Sequence, residues 1–226
     1  MKKDLSGKML GIIHAAVFTS QVVQKYITEI IPEVTVAHAG DDTIQMTNSA
    51  SEPGFIPKVN YFKFVTLAKF LEDAGADLIM LACSTFNRAV EYARPMIETP
   101  MLQIDRPMMD LAVQQGERVG LLATLESTVP SSERLLRLAA EEAGKKVEIK
   151  TVLCSEAFKV LRQGNTAKHN EILLTEIDKL SKQVDSIVLA QVSMTALEPF
   201  LKNPRVPVYN SGRTGFNKAR EILESL

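Results

Sequence analysis

ADLIMLACSTF, residues 76–86, and DSIVLAQVSM, residues 185–194, are two apolar runs that end alike, with small and hydroxyl residues around one functional side chain. A short, continuous apolar run is typical of a strand that is buried on both faces of a parallel sheet. Cys83 in the first run corresponds to Gln191 in the second, 108 residues later. The two runs therefore predict two similar sheets, each with a functional side chain at the end of a strand.

The same spacing recurs elsewhere in the chain. Gly11 in GIIHAAVFTS corresponds to Gly120 in GLLATLESTV, an offset of 109 residues. Pro100 in TPMLQID corresponds to Pro207 in VPVYNSG, an offset of 107 residues. A nearly constant offset across three motifs predicts an internal duplication.

Short apolar runs alternate with amphipathic stretches along the chain, the pattern of repeated β-α units around parallel sheets. The predicted strands are MLGIIHA, VTVAHA, ADLIMLAC, PMLQI, RVGLLAT, VEIKTVL, DSIVLAQ and VPVYN. The predicted helices lie at about 19–31, 60–74, 86–97, 107–115, 130–143, 169–183, 194–202 and 213–225. The polar segments 40–58 and 154–166 are rich in turn-forming residues, so we expect irregular loops there that act as mobile lids.

The predicted fold class is α/β, with two pseudo-symmetric, open, parallel-sheet (Rossmann-like) lobes from an internal duplication and a cleft between them. We expect the first lobe to span 1–105, with 213–226 returning to it, and the second lobe to span 106–212. Ligands of open α/β sheets bind outside the carboxyl ends of the strands. Cys83 and Gln191 are therefore predicted to oppose each other across the cleft.

Composition excludes several classes of partner. The chain has 226 residues, of which 46% are apolar, and its formal net charge is −1 with the basic residues scattered, so we expect neither nucleic-acid nor membrane binding. No apolar run is long enough to span a bilayer. A small carboxylate is the expected partner, and a homo-oligomer is compatible with the sequence.

Two cysteines cannot build a disulfide framework, and free thiols suit a reducing compartment, so we expect a cytoplasmic protein. The sequence contains no phosphate-binding loop, dinucleotide fingerprint or paired metal-ligand spacing. We therefore expect no cofactor and no metal.

Small hydroxyl residues next to Cys83 predict a carboxylate-binding site. Ser84 and Thr85 follow the thiol directly, and their hydroxyls and the backbone N–H groups of a helix starting near residue 86 suit an anion. The same helix start would lower the thiol pKa and favour a thiolate at Cys83. Alternatively, Ser84 and Thr85 cap the helix.

The second lobe offers further candidates for substrate binding. Thr124 and Thr128 follow its first strand, and Ser193 corresponds to Thr85 by the repeat. His14 ends the first strand at the predicted cleft and could act as an acid, a base or an anion ligand. The alternatives are cap and turn roles for the two threonines and a structural role for the histidine.

Two further residues have weaker support for a functional role. Cys154 has no counterpart in the repeat, and we expect it to be structural. His169 is expected at the solvated start of a helix.

LACSTF, together with GLLATLESTVPS at the start of the second half, resembles the aspartate/glutamate/hydantoin racemase family over essentially the whole chain. The resemblance implies two pseudo-symmetric α/β lobes, no cofactor, and one cysteine from each lobe on opposite faces of the substrate. One thiolate removes the α-proton and the other thiol returns a proton. Arylmalonate decarboxylase and maleate isomerase share the fold, so the implied class of reaction is wider than racemisation.

Gln191 departs from that family pattern, because an amide cannot exchange a proton usefully near neutral pH. We expect an isomerase-type enzyme that transfers a proton at the carbon next to a carboxylate of a small amino acid or related acid. Cys83 would be the acid/base, and Gln191 would replace the second cysteine. Three alternatives stay open: a second base recruited from His14 or Cys154, a one-thiol decarboxylase or lyase, and a non-catalytic carboxylate-binding protein.

Overall fold

Two parallel sheets of four strands each form the framework of the computed structural model, which describes residues 3–226. The first sheet contains β1 (Met9–His14), β2 (Thr35–Gly40), β3 (Leu78–Leu81) and β4 (Met101–Gln103), in the order β2-β1-β3-β4. The second contains β5 (Arg118–Ala123), β6 (Glu148–Leu153), β7 (Ser186–Leu189) and β8 (Val208–Asn210), in the order β6-β5-β7-β8. The predicted α/β class with two open parallel sheets is confirmed.

Helices flank both sheets. In residues 3–226 they are α1 (Thr19–Ile30), α2 (Asp42–Ser49), α3 (Lys58–Asp73), α4 (Ala89–Ala93), α5 (Arg106–Gln115), α6 (Val129–Glu142), α7 (Ser155–Arg162), α8 (Thr166–Leu180) and α9 (Ser211–Ser225). Six of the eight predicted helices agree with these bounds to within three residues. Short 3₁₀ helices span Glu126–Thr128 and Val192–Phe200.

The prediction of irregular loops at 40–58 and 154–166 is wrong, because each segment contains an eight-residue helix, α2 or α7. The Asp41 side chain caps α2 by accepting a hydrogen bond from the Thr43 N–H at 2.8 Å. Ile44 is fully buried on the inner face of the same helix. This cap and the buried face stabilise α2, although the segment is too short and too polar to show a clear helical period.

Two other predicted helices are replaced by tighter structure. The prediction of 86–97 is correct only over α4, because the Ala89 N–H bonds the Phe86 carbonyl three residues back, at 2.9 Å. Residues 192–200, which overlap the predicted 194–202 helix, are 3₁₀ rather than α-helical, and Pro199, which has no N–H to donate, lies within them.

In each sheet, a leucine of a packed helix lies in close contact with a glycine of a strand. A Cβ added at Gly11 in β1 would lie 2.9 Å from Leu71 Cδ1 in α3. A Cβ added at Gly120 in β5 would lie 2.7 Å from Leu180 Cδ2 in α8. Glycine is required at both places because the helix approaches the strand backbone, and both pairs share the 109-residue offset of the repeat.

The last helix joins the two halves of the molecule. Phe216, Ala219 and Leu223 of α9 are buried in the core cluster that contains Leu10 and Ile12 of β1. Helix α5 packs its own buried residues with the second sheet. The lobe boundaries 1–105, with 213–226 returning, and 106–212 stay a prediction. Within residues 3–226, no helix combines the length and apolar character that a membrane crossing needs.

We predict that Gly212→Ala lowers the free energy of unfolding by about 1–3 kcal/mol, the usual range for overpacking. A Cβ at Gly212 would lie 2.6 Å from Cζ of the rigid, fully buried Tyr26 ring. Urea denaturation measures the loss, and Gly7→Ala is the matched control because a Cβ there meets nothing within 4 Å. Equal stability of the two variants would contradict the proposed tight contact.

Candidate functional site

A cavity of about 370 Å³ lies at the carboxyl ends of the two sheets. Six of the eight predicted site residues line it: Cys83, Ser84, Thr85, Thr128, Gln191 and Ser193. A larger groove lies between α5, α6 and α9, and the Arg106 side chain that partly lines it is already paired with Asp110 and Glu142. The smaller cavity is therefore the candidate site, because it brings the predicted residues together.

Cys83 follows β3 and keeps partial exposure to this cavity. Burial raises the pKa of its thiol to about 12; backbone N–H groups offset part of this effect, and the charge of Asp105 adds to it. The predicted thiolate is wrong for the ligand-free protein, because α4 begins only at Ala89 and the thiol is desolvated. The Cys83 thiol is therefore neutral in the ligand-free protein.

Gln191 lines the cavity from the end of β7, and its side-chain orientation is fixed by Thr124. Its Oε1 accepts hydrogen bonds from the Thr124 N–H at 2.6 Å and from the Thr124 hydroxyl at 3.1 Å. Because a backbone N–H can only donate, the oxygen must lie on this side. Within residues 3–226, Nε2 has no hydrogen-bond partner, so its two N–H groups are available to a ligand.

Thr124 itself is buried behind Gln191 and does not line the cavity. Because its side chain does not line the cavity, the structure does not support its predicted role in substrate binding. The structure places it instead where it orients the Gln191 amide.

Hydroxyl groups connect the two lobes beside Cys83. The Thr85 and Thr128 Oγ1 atoms lie 3.0 Å apart, and the Ser131 hydroxyl donates to the Thr85 carbonyl at 2.7 Å. The Ser84 hydroxyl donates to Asp105 Oδ1 at 3.1 Å. The predicted carboxylate-binding residues thus lie together, although the Ser84 proton already has an acceptor.

His14 is buried and reaches the cavity only through Thr19. The Thr19 hydroxyl donates to the Ala16 carbonyl, so it accepts the bond from His14 Nδ1 at 2.7 Å. His14 Nε2 then accepts from His38 Nδ1 at 2.9 Å. Burial, followed by the charge of His38, lowers the pKa of His14 to about 4, so its ring is neutral near pH 7.

Asp105 is a candidate site residue that the sequence patterns did not identify. It follows β4, is fully buried, and has no partner for Oδ2 within residues 3–226. Burial raises its pKa to about 7, and the hydrogen bond from Ser84 offsets part of that rise. An aspartate at the end of TPMLQID, on the same sheet edge as Cys83, was the signal that could have identified it.

The other thiol and histidine lie away from the cavity. Cys154 packs in the core of the second lobe, where burial raises its pKa to about 11. The expectation of a solvated His169 is wrong, because its side chain is only 1% exposed. Within residues 3–226, no three His, Cys, Asp or Glu side chains lie close enough to hold a metal ion.

Comparisons with known proteins agree with this architecture. The family model described as Asp/Glu/Hydantoin racemase matches residues 16–219. The glutamate racemase of Trichodesmium erythraeum (strain IMS101) is 25% identical over 138 residues, which cover 59% of this chain and 50% of that protein. The chain thus spans about half the length of that curated relative.

Solved structures show the same fold. An aspartate racemase homologue from Pyrococcus horikoshii OT3 matches with a TM-score of 0.74 and 21% identity, covering 96% of this chain and 99% of that chain. The allantoin racemase from Klebsiella pneumoniae matches with a TM-score of 0.71 and 17% identity, covering 96% and 88%.

We predict that Asp105→Asn stabilises the protein more at pH 8 than at pH 5. The folded-state pKa of Asp105, about 7, lies above the ordinary value, so its contribution to stability falls as pH rises from about 4 to 7. The substitution removes that penalty, and we expect a difference on the order of 2–3 kcal/mol between the two pH values. Urea denaturation at each pH measures it.

Asp110→Asn, in helix α5 directly after Asp105, is the matched control, because Asp110 is paired with Arg106 at 2.7 Å and is not fully buried. Asp110→Asn should not stabilise the protein more at pH 8 than at pH 5. An Asp105→Asn effect that is equal at both pH values would show that Asp105 has no raised pKa.

Proposed function

Because the chain belongs to the Asp/Glu/hydantoin racemase family, we propose that it is a cofactor-independent enzyme that transfers a proton at the carbon next to a carboxylate. The substrate class is a small amino acid or related acid. Cys83 is the acid/base on one face of that carbon, and Gln191 lies on the other. The observation that carries the proposal is that both side chains line one cavity from equivalent strand ends.

The reaction needs stabilisation of an enediolate, because the α-proton of a carboxylate is very weakly acidic. Donors are required where negative charge develops on the carboxylate oxygens. The free Nε2 donors of Gln191, the Ser193 hydroxyl, and the one hydroxyl of the Thr85–Thr128 pair that does not donate to the other supply them in this proposal. Gln191 therefore stabilises charge rather than carrying a proton.

The raised pKa of Cys83 suits proton transfer in both directions. A neutral thiol can protonate an enediolate directly. Its conjugate thiolate, once formed, is a stronger base than an ordinary thiolate because its pKa is about 12. Because of the same raised pKa, only a small fraction of the protein molecules carry Cys83 as a thiolate at neutral pH.

A one-thiol decarboxylase or lyase is the second candidate, and the neutral resting thiol favours it. When a carbon that bears two carboxylates loses one of them as carbon dioxide, the electron pair of the broken C–C bond delocalises into the remaining carboxylate and gives an enediolate. A proton from Cys83 then completes the reaction, so no base is needed in the first step. Gln191 would stabilise the same intermediate.

We also propose a cytoplasmic location, because both cysteines are free thiols and free thiols persist in a reducing compartment.

Cys83→Ala is predicted to abolish deuterium incorporation at the α-carbon of an accepted acid in heavy water, because the proton carrier is lost. NMR of a panel of small carboxylic acids measures exchange and decarboxylation together. Cys154→Ala is the control and should retain activity, because Cys154 is buried away from the cavity. Exchange that persists in Cys83→Ala would eliminate the thiol mechanism; binding without any reaction would favour a non-catalytic protein.

Gln191→Cys is predicted to allow proton exchange on both faces and so to give racemisation, whereas the native protein exchanges one face stereospecifically. The added thiol supplies the acid/base that an amide lacks. Gln191→Ala is the control: it should slow exchange by removing the Nε2 donors without opening the second face. Enantiomeric analysis alongside deuterium NMR measures this. Full racemisation by the native protein would mean that another residue is the second base.

A further inference from the structure

Among the described residues, the side chains that line the cavity carry positive charge and no negative charge. Among residues 3–226, Arg162 is the only charged residue that lines it. Arg162 lies in the last turn of α7, is exposed, and makes no ion pair with any described residue. Its guanidinium is therefore available to an anion inside or at the mouth of the cavity.

Apolar side chains make up much of the remaining wall. Phe158 and Leu161 share a face of α7 with Arg162, at the three- and four-residue spacing of a helix. Phe18, Leu125 and Val192 line the cavity from other segments. Helix α7 therefore presents both the Arg162 guanidinium and an apolar surface to the cavity.

No Asp or Glu side chain of residues 3–226 lines the cavity. A ligand's ammonium group would lose its water and gain only neutral partners, which is unfavourable. A second carboxylate on the ligand's side chain would meet neutral residues and, among residues 3–226, no second cation. Both features of an acidic amino acid are therefore poorly matched to these walls.

We propose that the cavity binds a carboxylic acid with an apolar substituent and without a charged amino group, and that Arg162 pairs with its carboxylate. This inference rests on the proposed function and narrows its substrate class to the related acids. Phe158 and Leu161 select the substituent.

Isothermal titration calorimetry with three matched acids tests the substrate class. Leucine and aspartate differ in whether the side chain ends in methyl groups or a carboxylate. Leucine and 2,4-dimethylpentanoate differ in having an ammonium or a methyl group on the α-carbon. We expect 2,4-dimethylpentanoate to bind roughly tenfold more tightly than leucine, and aspartate to bind most weakly.

Two variants test the residues. Arg162→Gln should weaken 2,4-dimethylpentanoate binding roughly tenfold, whereas Arg137→Gln, on α6 outside the cavity, should not change it. Gln45→Glu adds a near-isosteric carboxylate to the cavity lining and should shift preference toward leucine. Tightest binding of aspartate, no binding of 2,4-dimethylpentanoate at millimolar concentration, or no effect of Arg162→Gln would each overturn the inference.

Exchange measurements separate this inference from the proposed function. Cys83-dependent α-deuteration of aspartate with the strongest binding of aspartate would leave the function standing and overturn the substrate class. Arg162-dependent binding of 2,4-dimethylpentanoate without proton exchange or decarboxylation of any acid in the panel would support the binding class and overturn the enzymatic function.

Discussion

Hydrogen bonds between the lobes hold the carboxyl ends of the two sheets together, and the cavity depends on them. Thr85 and Thr128 meet at 3.0 Å, and Ser131 bonds the Thr85 carbonyl at 2.7 Å. Nearby, Arg134 Nη1 donates to Glu91 Oε1 at 2.8 Å. Helix α9 adds a second connection by packing into the core of the first sheet. With the lobes joined in two places, the strand ends of both sheets lie close together, and residues from both lobes line one cavity.

The two halves keep the same scaffold but differ where they meet the cavity. The contacts of Gly11 with Leu71 and of Gly120 with Leu180 recur because each sheet needs a helix packed closely on its central strand. Fold stability does not require a particular side chain at the strand end, so that position is free to carry different chemistry. A thiol lies at one such end and an amide donor at the other, which makes the two faces of a ligand chemically unequal.

Sequence patterns predicted the strands well, since β3 and β7 are buried throughout and their apolar runs record that burial directly. They did not predict α2, which is short, polar and capped by Asp41, or α7, which is amphipathic but only eight residues long and lies in a segment that looks irregular. Arg162 was missed for that reason, because it lies on α7. Asp105 was missed because its burial depends on how the surrounding elements pack, which a local pattern does not contain.

The electrostatics of the site keep its ionisable groups protonated at rest. Asp105 bonds Ser84, which lines the cavity, so a ligand carboxylate placed there adds a like charge that raises the pKa of Asp105 further. The same ligand charge raises the pKa of the neighbouring Cys83 thiol. A protonated Asp105 and a neutral thiol then lie beside a carbon on which negative charge develops. Because both groups carry a proton at rest, the site has a proton to give to an enediolate but no resting base to remove an α-proton, so protonation of the enediolate is the step that this arrangement assists most, in isomerisation and in decarboxylation alike.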